Sequence, residues 1–346
     1  MKSITIVGSE LQFLNAYEAL KEYKCRENIL VLSSFNARIG RIHELLSQQE
    51  IRAQFQLILK LRMIPLNGRI SNFINAVLFR IQLFILQLKK VDYCIIGNYN
   101  EMYHRYLACK LEEKGAKIVE VDDGLNIGSI LTLRKEDVDG NFSNHYPLSF
   151  FKKVFFFNRK KTVYVPLQIT FFSSLVSEAS FLDTKDVCVR NKRLHFSDFS
   201  QYSLSLEVDA ILFIGQPYVE SNLMNKKNYL NHLKSVSLRY PNRKIYYFPH
   251  PLESNLKDIS AALSKYVIKK INFPLELLLN SIKETNIIIG FSSTVLLFFA
   301  QQNSFSVFYI KPQLAEFESH KEAMSQCYQD FFDSDERLKI FKPVTQ

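Results

Sequence analysis

Strand-length apolar runs alternate with helix-length amphipathic segments along nearly the whole chain, and this alternation restricts the fold more than any other feature. Residues 4–7 precede a helical pattern over 11–23, and 28–32 precede one over 37–49. A long helix near 70–89 leads into a strand at 93–96, and a helix over 101–114 leads into one at 117–121. The runs are close to continuously apolar, as parallel strands covered on both faces tend to be, so the pattern predicts an α/β chain with a parallel sheet. Regularity stops over 135–205 and resumes with a strand at 209–214. Helices are then expected at 226–239, 256–263, 274–283, 294–301 and 314–332, with strands at 244–248, 267–271, 286–289 and 306–310. The organisation expected is a first domain over 1–160, a bridge over 161–205, a second domain over 206–325 and a tail over 326–346 able to pack back on the first domain.

A length of 346 residues suits two domains, and 47% apolar with 23% charged residues excludes a disordered chain. Only 10 residues are glycine, well under the usual ~7%, which disfavours a nucleotide site built from a Gly-rich loop. The few glycines have informative addresses. Gly8, Gly97, Gly215 and Gly290 each stand just past an expected strand, and Gly124 and Gly128 follow the strand ending at Val121. Ligands of open α/β sheets bind outside the carboxyl ends of the strands. The glycines therefore point to two Rossmann-like domains facing a central cleft. That is the layout of a GT-B glycosyltransferase or of another two-lobed α/β binding protein.

Five widely spaced cysteines, Cys25, Cys94, Cys109, Cys188 and Cys327, form no CxxC and suggest a reducing compartment. The amino-terminal residues run straight into a strand, so no signal peptide is expected. Residues 70–88 are the most membrane-like run. Arg80 and several amides interrupt it, which favours a buried or surface amphipathic helix over a span. The formal charge is +10. No acidic residue occurs between Asp139 and Glu178, where Lys152, Lys153, Arg159, Lys160 and Lys161 are interleaved with phenylalanines. That stretch suits an anionic membrane face or a solvated loop beside a buried element; nucleic acid is not an expected partner.

Four constellations could carry chemistry. Asp122-Asp123-Gly124 ends a buried strand, where neighbouring side chains point in opposite directions; one carboxylate can face the cleft as a general base while the other anchors the loop. His250, bracketed by Pro249 and Pro251, is rigidly aimed at a strand end. Ser292 and Ser293 follow Gly290-Phe291 where a strand meets a helix, a place for an anion or for an ordinary cap. Glu276 sits at a helix start, where it complements the dipole or accepts from a ribose. Asp137-Val138-Asp139 and Asp333-Ser334-Asp335 match a short DxD pattern in turn-like sequence, and the remaining histidines show no metal-ligand spacing. No metal or cofactor is expected.

Together these pieces resemble the bacterial GT-B sialyltransferases, whose motifs are an acidic-acidic-Gly triplet, a His-Pro pair and a later Ser/Thr pair. Here they are Asp122-Asp123-Gly124, His250-Pro251 and Ser292-Ser293, in that order. Residues 8–16, with Gln12, look like the amino-terminal loop of the lipooligosaccharide and capsule enzymes of glycosyltransferase family 52 and their polysialyltransferase relatives. Gly215-Gln216-Pro217 is similar to a segment of the same group. The resemblance implies an inverting transfer from CMP-sialic acid to a terminal sugar, galactose, of an oligosaccharide or lipid-linked glycan acceptor. It gives Asp123 the role of base, with Asp122 in reserve. His250 faces the departing phosphate, Ser292 and Ser293 hold it, and Glu276 binds the nucleoside. Gly215, Gln216, Pro251 and Gln12 complete the donor site. The first domain then faces the acceptor and the second the CMP-sugar, in a cytoplasmic enzyme peripheral to the inner membrane. Polysialylation, another CMP-linked nonulosonic acid, or nucleotide-sugar binding without turnover remain as alternatives.

Overall fold

In the computed structural model of the chain the residues described are 1–33, 38–61, 69–124, 126–138, 164–174, 185–191, 197–199, 201–202, 204–254, 256–280, 282, 286–301, 305–311 and 337–342. Two compact units comprise Met1–Asp198 and Phe199–Gln346.

The first unit is built on strands β1 (Lys2–Val7), β2 (Glu27–Leu32), β3 (Leu57–Lys60), β4 (Tyr93–Ile96), β5 (Lys117–Val121), β6 (Ile169–Ser173) and β7 (Val187–Arg190). They form one sheet in the order β3-β2-β1-β4-β5-β6-β7, with every pairing parallel. The helices are α1 (Glu10–Glu22), α2 (Arg38–Leu46), α3 (Gln49–Ala53), α4 (Arg69–Gln87), α5 (Met102–Glu112) and α6 (Asn126–Val138). The central strands are buried on both faces, with Ser3, Thr5 and Glu120 buried among their apolar residues, and Ile4, Ile6, Cys94 and Ile96 are fully buried in one core with Leu107 and Leu111 of α5. Helix α1 starts where Ser9, in extended backbone, accepts a bond from Gln12 N, with Glu10 in its first turn and Lys21 in its last.

The second unit has strands β8 (Ile211–Ile214), β9 (Ile245–Phe248), β10 (Tyr266–Ile268), β11 (Ile287–Gly290), β12 (Ser306–Tyr309) and β13 (Lys339–Ile340), in the order β10-β9-β8-β11-β12-β13. All are parallel, and helices α7 (Lys226–Arg239), α8 (Leu256–Ala262) and α9 (Thr294–Ala300) accompany them. Aromatic packing fills this core: Phe213 stacks on Tyr247 with centroids 5.5 Å apart, and Phe291 lies 5.0 Å from Tyr229. A Cβ on Gly290 would lie 2.9 Å from the Ile214 carbonyl oxygen, so β11 sits against β8 too closely for any side chain there.

Several boundaries differ from the sequence reading. The span 161–205, expected as a bridge, contributes β6 and β7 to the first sheet. Its apolar segment Ile169–Ser173 pairs with β5, while β7 is a four-residue edge strand whose apolar run, Val187-Cys188-Val189, is too short to stand out. Strand β3 is another such edge, absent from the expected alternation. The expected helix over 274–283 is a short 3-10 turn, Leu275–Asn280. In the tail, Lys339–Ile340 pairs with β12 and Phe341 is buried in the second core, so these residues belong to the second unit. The expected helix over 314–332, the basic Phe-rich stretch over 150–161, Cys327 and the Asp333–Asp335 motif lie outside the described residues.

A buried ion pair fastens the added strands. Arg134 of α6 donates from Nε and from one terminal nitrogen to Asp186, both at 2.9 Å, and Asp186 Oδ1 also accepts from Ile169 N at 2.8 Å. Removing one partner strands the other charge in a dry site. Arg134→Met should therefore lower stability by about 3–5 kcal/mol, read as a loss of unfolding free energy in denaturant titration.

Candidate active site

The crevice of an open parallel sheet lies where strand order reverses. In the first sheet that point is between β1 and β4, and the segments leaving them are Gly8-Ser9 and Gly97-Asn98. The Asp122-Asp123-Gly124 turn leaves the adjacent strand, β5, and Gly124 takes a left-handed φ of 67° that glycine adopts without strain.

The two aspartates have separate tasks. Asp122 is fully buried. Its carboxylate accepts from Ser173 Oγ, from Ser174 N at 2.8 Å and from Ser174 Oγ at 3.1 Å, which binds the turn to the end of β6. Burial raises its carboxyl to about 6, against the opposing pull of those bonds. Asp123 is half-buried. Ser9 Oγ donates to its Oδ1 at 3.2 Å and Asn98 Nδ2 to its Oδ2 at 3.1 Å, so one donor from each reversal-point loop aims the group. Asn15 Nδ2 holds the Asp122 carbonyl oxygen at 3.1 Å.

The loop carrying Asn98 is itself braced. Asn98 N donates to Nδ1 of buried His104 at 3.2 Å, and Nε2 of that ring lies 2.9 Å from Ser33 Oγ. Burial lowers His104 to about 3, so the ring is neutral and its proton is on Nε2, directed at Ser33. Tyr99 N donates to buried Glu120 at 3.0 Å, and burial raises that carboxyl well above its usual range. Gln12 is buried; its Oε1 accepts from Gly8 N at 2.6 Å and fills the space a Cβ on Gly97 would need. The sequence reading made Gln12, Asp122 and Asp123 site residues; it included Ser9 only within residues 8–16 and His104 only among the histidines without metal-ligand spacing, and it gave Asn98 and Ser173 no role. Asp137 of the DxD pattern is buried and committed to Arg105 and Tyr99, each at 2.9 Å, and among the described residues no group of His, Cys, Asp or Glu forms a metal-ligand set.

In the second sheet the order reverses between β8 and β11. Gly215-Gln216 leaves β8, Ser292-Ser293 follows β11, and His250-Pro251 follows the neighbouring β9. One side chain unnoticed in the sequence gathers these loops: Glu253. Its Oε2 accepts from His250 N at 2.6 Å, while its Oε1 accepts from Tyr229 and Tyr247 hydroxyls at 2.9 and 2.6 Å. Gln216 N donates to Tyr229 Oη at 3.3 Å. A Cβ on Gly215 would lie 2.4 Å from Glu253 Oε2, so that glycine makes room for the carboxyl. The ring of Tyr229 stacks on Phe291, next to Ser292. Leu252 N donates to His250 Nδ1 at 3.2 Å, leaving the proton of the neutral ring on Nε2. Ser292 and Ser293 are buried; Ser293 precedes α9 but its hydroxyl makes no cap bond. Glu276 is buried in its 3-10 turn, and Pro251 is exposed.

The Glu253 cluster has a proton deficit. The two tyrosine hydroxyls lie 2.8 Å from each other as well as near Oε1, giving three contacts for two hydroxyl protons. When Glu253 is protonated, its Oε1 donates to one hydroxyl and accepts from the other, and the third contact is made between the two hydroxyls. Burial raises Glu253 to about 7, above the unfolded carboxyl value of about 4.3. The stabilisation from that proton is full below the unfolded value and is lost as pH rises through 7. Glu253→Gln, which carries a donor at every pH, should show a smaller fall in unfolding temperature between about pH 5 and pH 8 than the wild type, measured by scanning calorimetry. Asp122→Asn turns an amide donor toward Ser174 N or Ser173, so it should unfold several degrees lower in the same scans.

The geometry stands beside three solved structures. UDP-GlcNAc 2-epimerase from Neisseria meningitidis bound to UDP-GlcNAc is 13% identical, with a TM-score of 0.56 over 96% of this chain and 91% of that one. UDP-GlcNAc 2-epimerase from Methanocaldococcus jannaschii is 12% identical, with 0.53 over 97% and 94%. TcCGT1 in complex with UDP is 8% identical, with 0.51 over 99% and 86%. At such identities these likenesses show the fold alone: GT-B, with two Rossmann-like parallel-sheet domains. No curated protein matches the chain. The model of glycosyltransferase family 52 matches residues 47–314, a stretch running through both units, and the chain belongs to that family.

Proposed function

We propose that this glycosyltransferase is an inverting sialyltransferase that takes sialic acid from CMP-sialic acid to a terminal galactose of a bacterial lipooligosaccharide or capsular glycan. The observation that carries the reading is the division between adjacent carboxylates: Asp122 is sealed by Ser173 and Ser174, while Asp123 is aimed by Ser9 and Asn98 at a reversal point. In this reading the acceptor hydroxyl oxygen bonds to the anomeric carbon and its proton passes to Asp123. The bond from that carbon to the CMP phosphate oxygen breaks, and its electron pair leaves with CMP. His250 donates from Nε2 to the phosphate, where negative charge develops; donors already aimed at that charge supply much of the rate. Ser292 and Ser293 hold the same phosphate, Glu276 accepts from the ribose or cytosine, and Gly215, Gln216 and Pro251 shape the loop beside them. Gln12 acts through the loop it holds. Imidazole, hydroxyls and backbone N–H groups meet a single phosphate, so the proposed reaction uses no metal. The enzyme works in the cytoplasm at the inner face of the membrane, where lipid-linked acceptors are presented.

Asp123→Asn should lower kcat about 10²–10⁴-fold with an unchanged unfolding temperature, and His250→Ala should lower it comparably. The assay is CMP release from CMP-sialic acid with a galactoside acceptor, in the presence of a chelator, against UDP- and GDP-sugars as alternative donors. Full activity in both variants, or turnover of a UDP- or GDP-sugar in place of CMP-sialic acid, overturns the assignment.

A further inference from the structure

Helix α4 has one apolar face more than its packing requires. Leu83 and Leu86 are buried in the core of the first unit, and Gln87 meets Tyr106 of α5. A single stripe of this kind is all that a core helix has to bury. Yet Ile81, Phe84 and Ile85, with Leu88 just past the helix end, are 52–61% exposed. Their spacing of three, one and three residues places them in a line along one solvent-facing side. Lys89 and Lys90 follow directly and are exposed. From Glu50 to Asp92 the sequence has no acidic residue between its ends but seven Arg and Lys. An apolar ridge in an acid-free, cationic segment matches a surface that is anionic outside and hydrocarbon beneath. Among the described residues no helix is long and apolar enough to cross a membrane, so α4 would lie along such a surface.

We propose that the outer face of α4 docks on an anionic lipid bilayer, with Ile81, Phe84, Ile85 and Leu88 entering the interface and Lys89 and Lys90 meeting the headgroups. The proposal extends the membrane-side placement above by naming the surface, and its test needs no donor or acceptor. The full chain is sedimented with phosphatidylcholine vesicles and with vesicles containing phosphatidylglycerol, at low and high salt. Wild type should bind the anionic vesicles and be weakened by salt. Phe84→Glu with Ile85→Glu, and separately Lys89→Glu with Lys90→Glu, should each lower the bound fraction at least about ten-fold, with unchanged unfolding temperature and CMP release on a soluble acceptor. Binding that survives in both double variants overturns the proposal, as does wild type that ignores anionic vesicles. A wild-type dimer in sedimentation velocity that Phe84→Glu with Ile85→Glu converts to monomer, without vesicle binding, assigns the face to a second copy and equally overturns it. Loss of sialyl transfer with vesicle binding intact would instead strike only the proposed reaction.

Discussion

A carboxyl group buried beneath the loops at the carboxyl edge of a parallel sheet has to find its donors locally, and each unit is organised around one such group. The strand ladder stops at this edge, so the backbone N–H groups of the outgoing loops lack strand partners. Asp122 meets this need in the first unit by taking Ser174 N and two serine hydroxyls. Glu253 does so in the second by taking His250 N and two tyrosines. In both places the buried acid sits beside the residue proposed for chemistry: Asp122 beside Asp123, and Glu253 under His250. The anchoring acid spends its capacity on the scaffold, which holds its neighbour in place. The cost of burying such a group is offset by the loops it orders.

The parts legible in the sequence were those encoded by local pattern. Continuous apolar runs located the central strands, because coverage on both faces removes alternation. The glycines located the loops: a Cβ at Gly97, Gly215 or Gly290 would collide with Gln12, Glu253 or the β8 backbone. The opposite directions of neighbouring strand residues anticipated separate surroundings for the two aspartates: Asp122 is buried against Ser173 and Ser174, and Asp123 is half-buried between Ser9 and Asn98. Edge strands β3 and β7 were hidden because their apolar runs, Leu57–Leu59 and Val187–Val189, are only three residues long. The supporting groups were hidden for a different reason. Asn98 and Asp123 are 25 positions apart, and Ser9 and Asp123 are 114 apart, so no local spacing links them. Glu253 lies three residues from His250 yet matters through Tyr229 and Tyr247, which come from α7 and β9.

Glycine scarcity has a physical counterpart in the site itself. A phosphate held by a Gly-rich loop needs many backbone donors brought close. In the proposed reaction the phosphate is met instead by the His250 imidazole, the buried Ser292 and Ser293 hydroxyls and a loop pinned by Glu253, which needs only the few glycines found at the strand ends.

The pairing of β13 with β12 has a consequence for synthesis. Residues 339–341 complete the edge of a sheet whose other strands begin at Ile211. While the ribosome is still making the chain, β12 offers a bare rim of N–H and C=O groups, and Phe341 is missing from the core it later joins. A bare strand rim is a template for pairing with another chain. Until residue 341 emerges, the second unit is therefore open to misassembly with its own neighbours on a polysome, whereas the first unit has already closed its sheet.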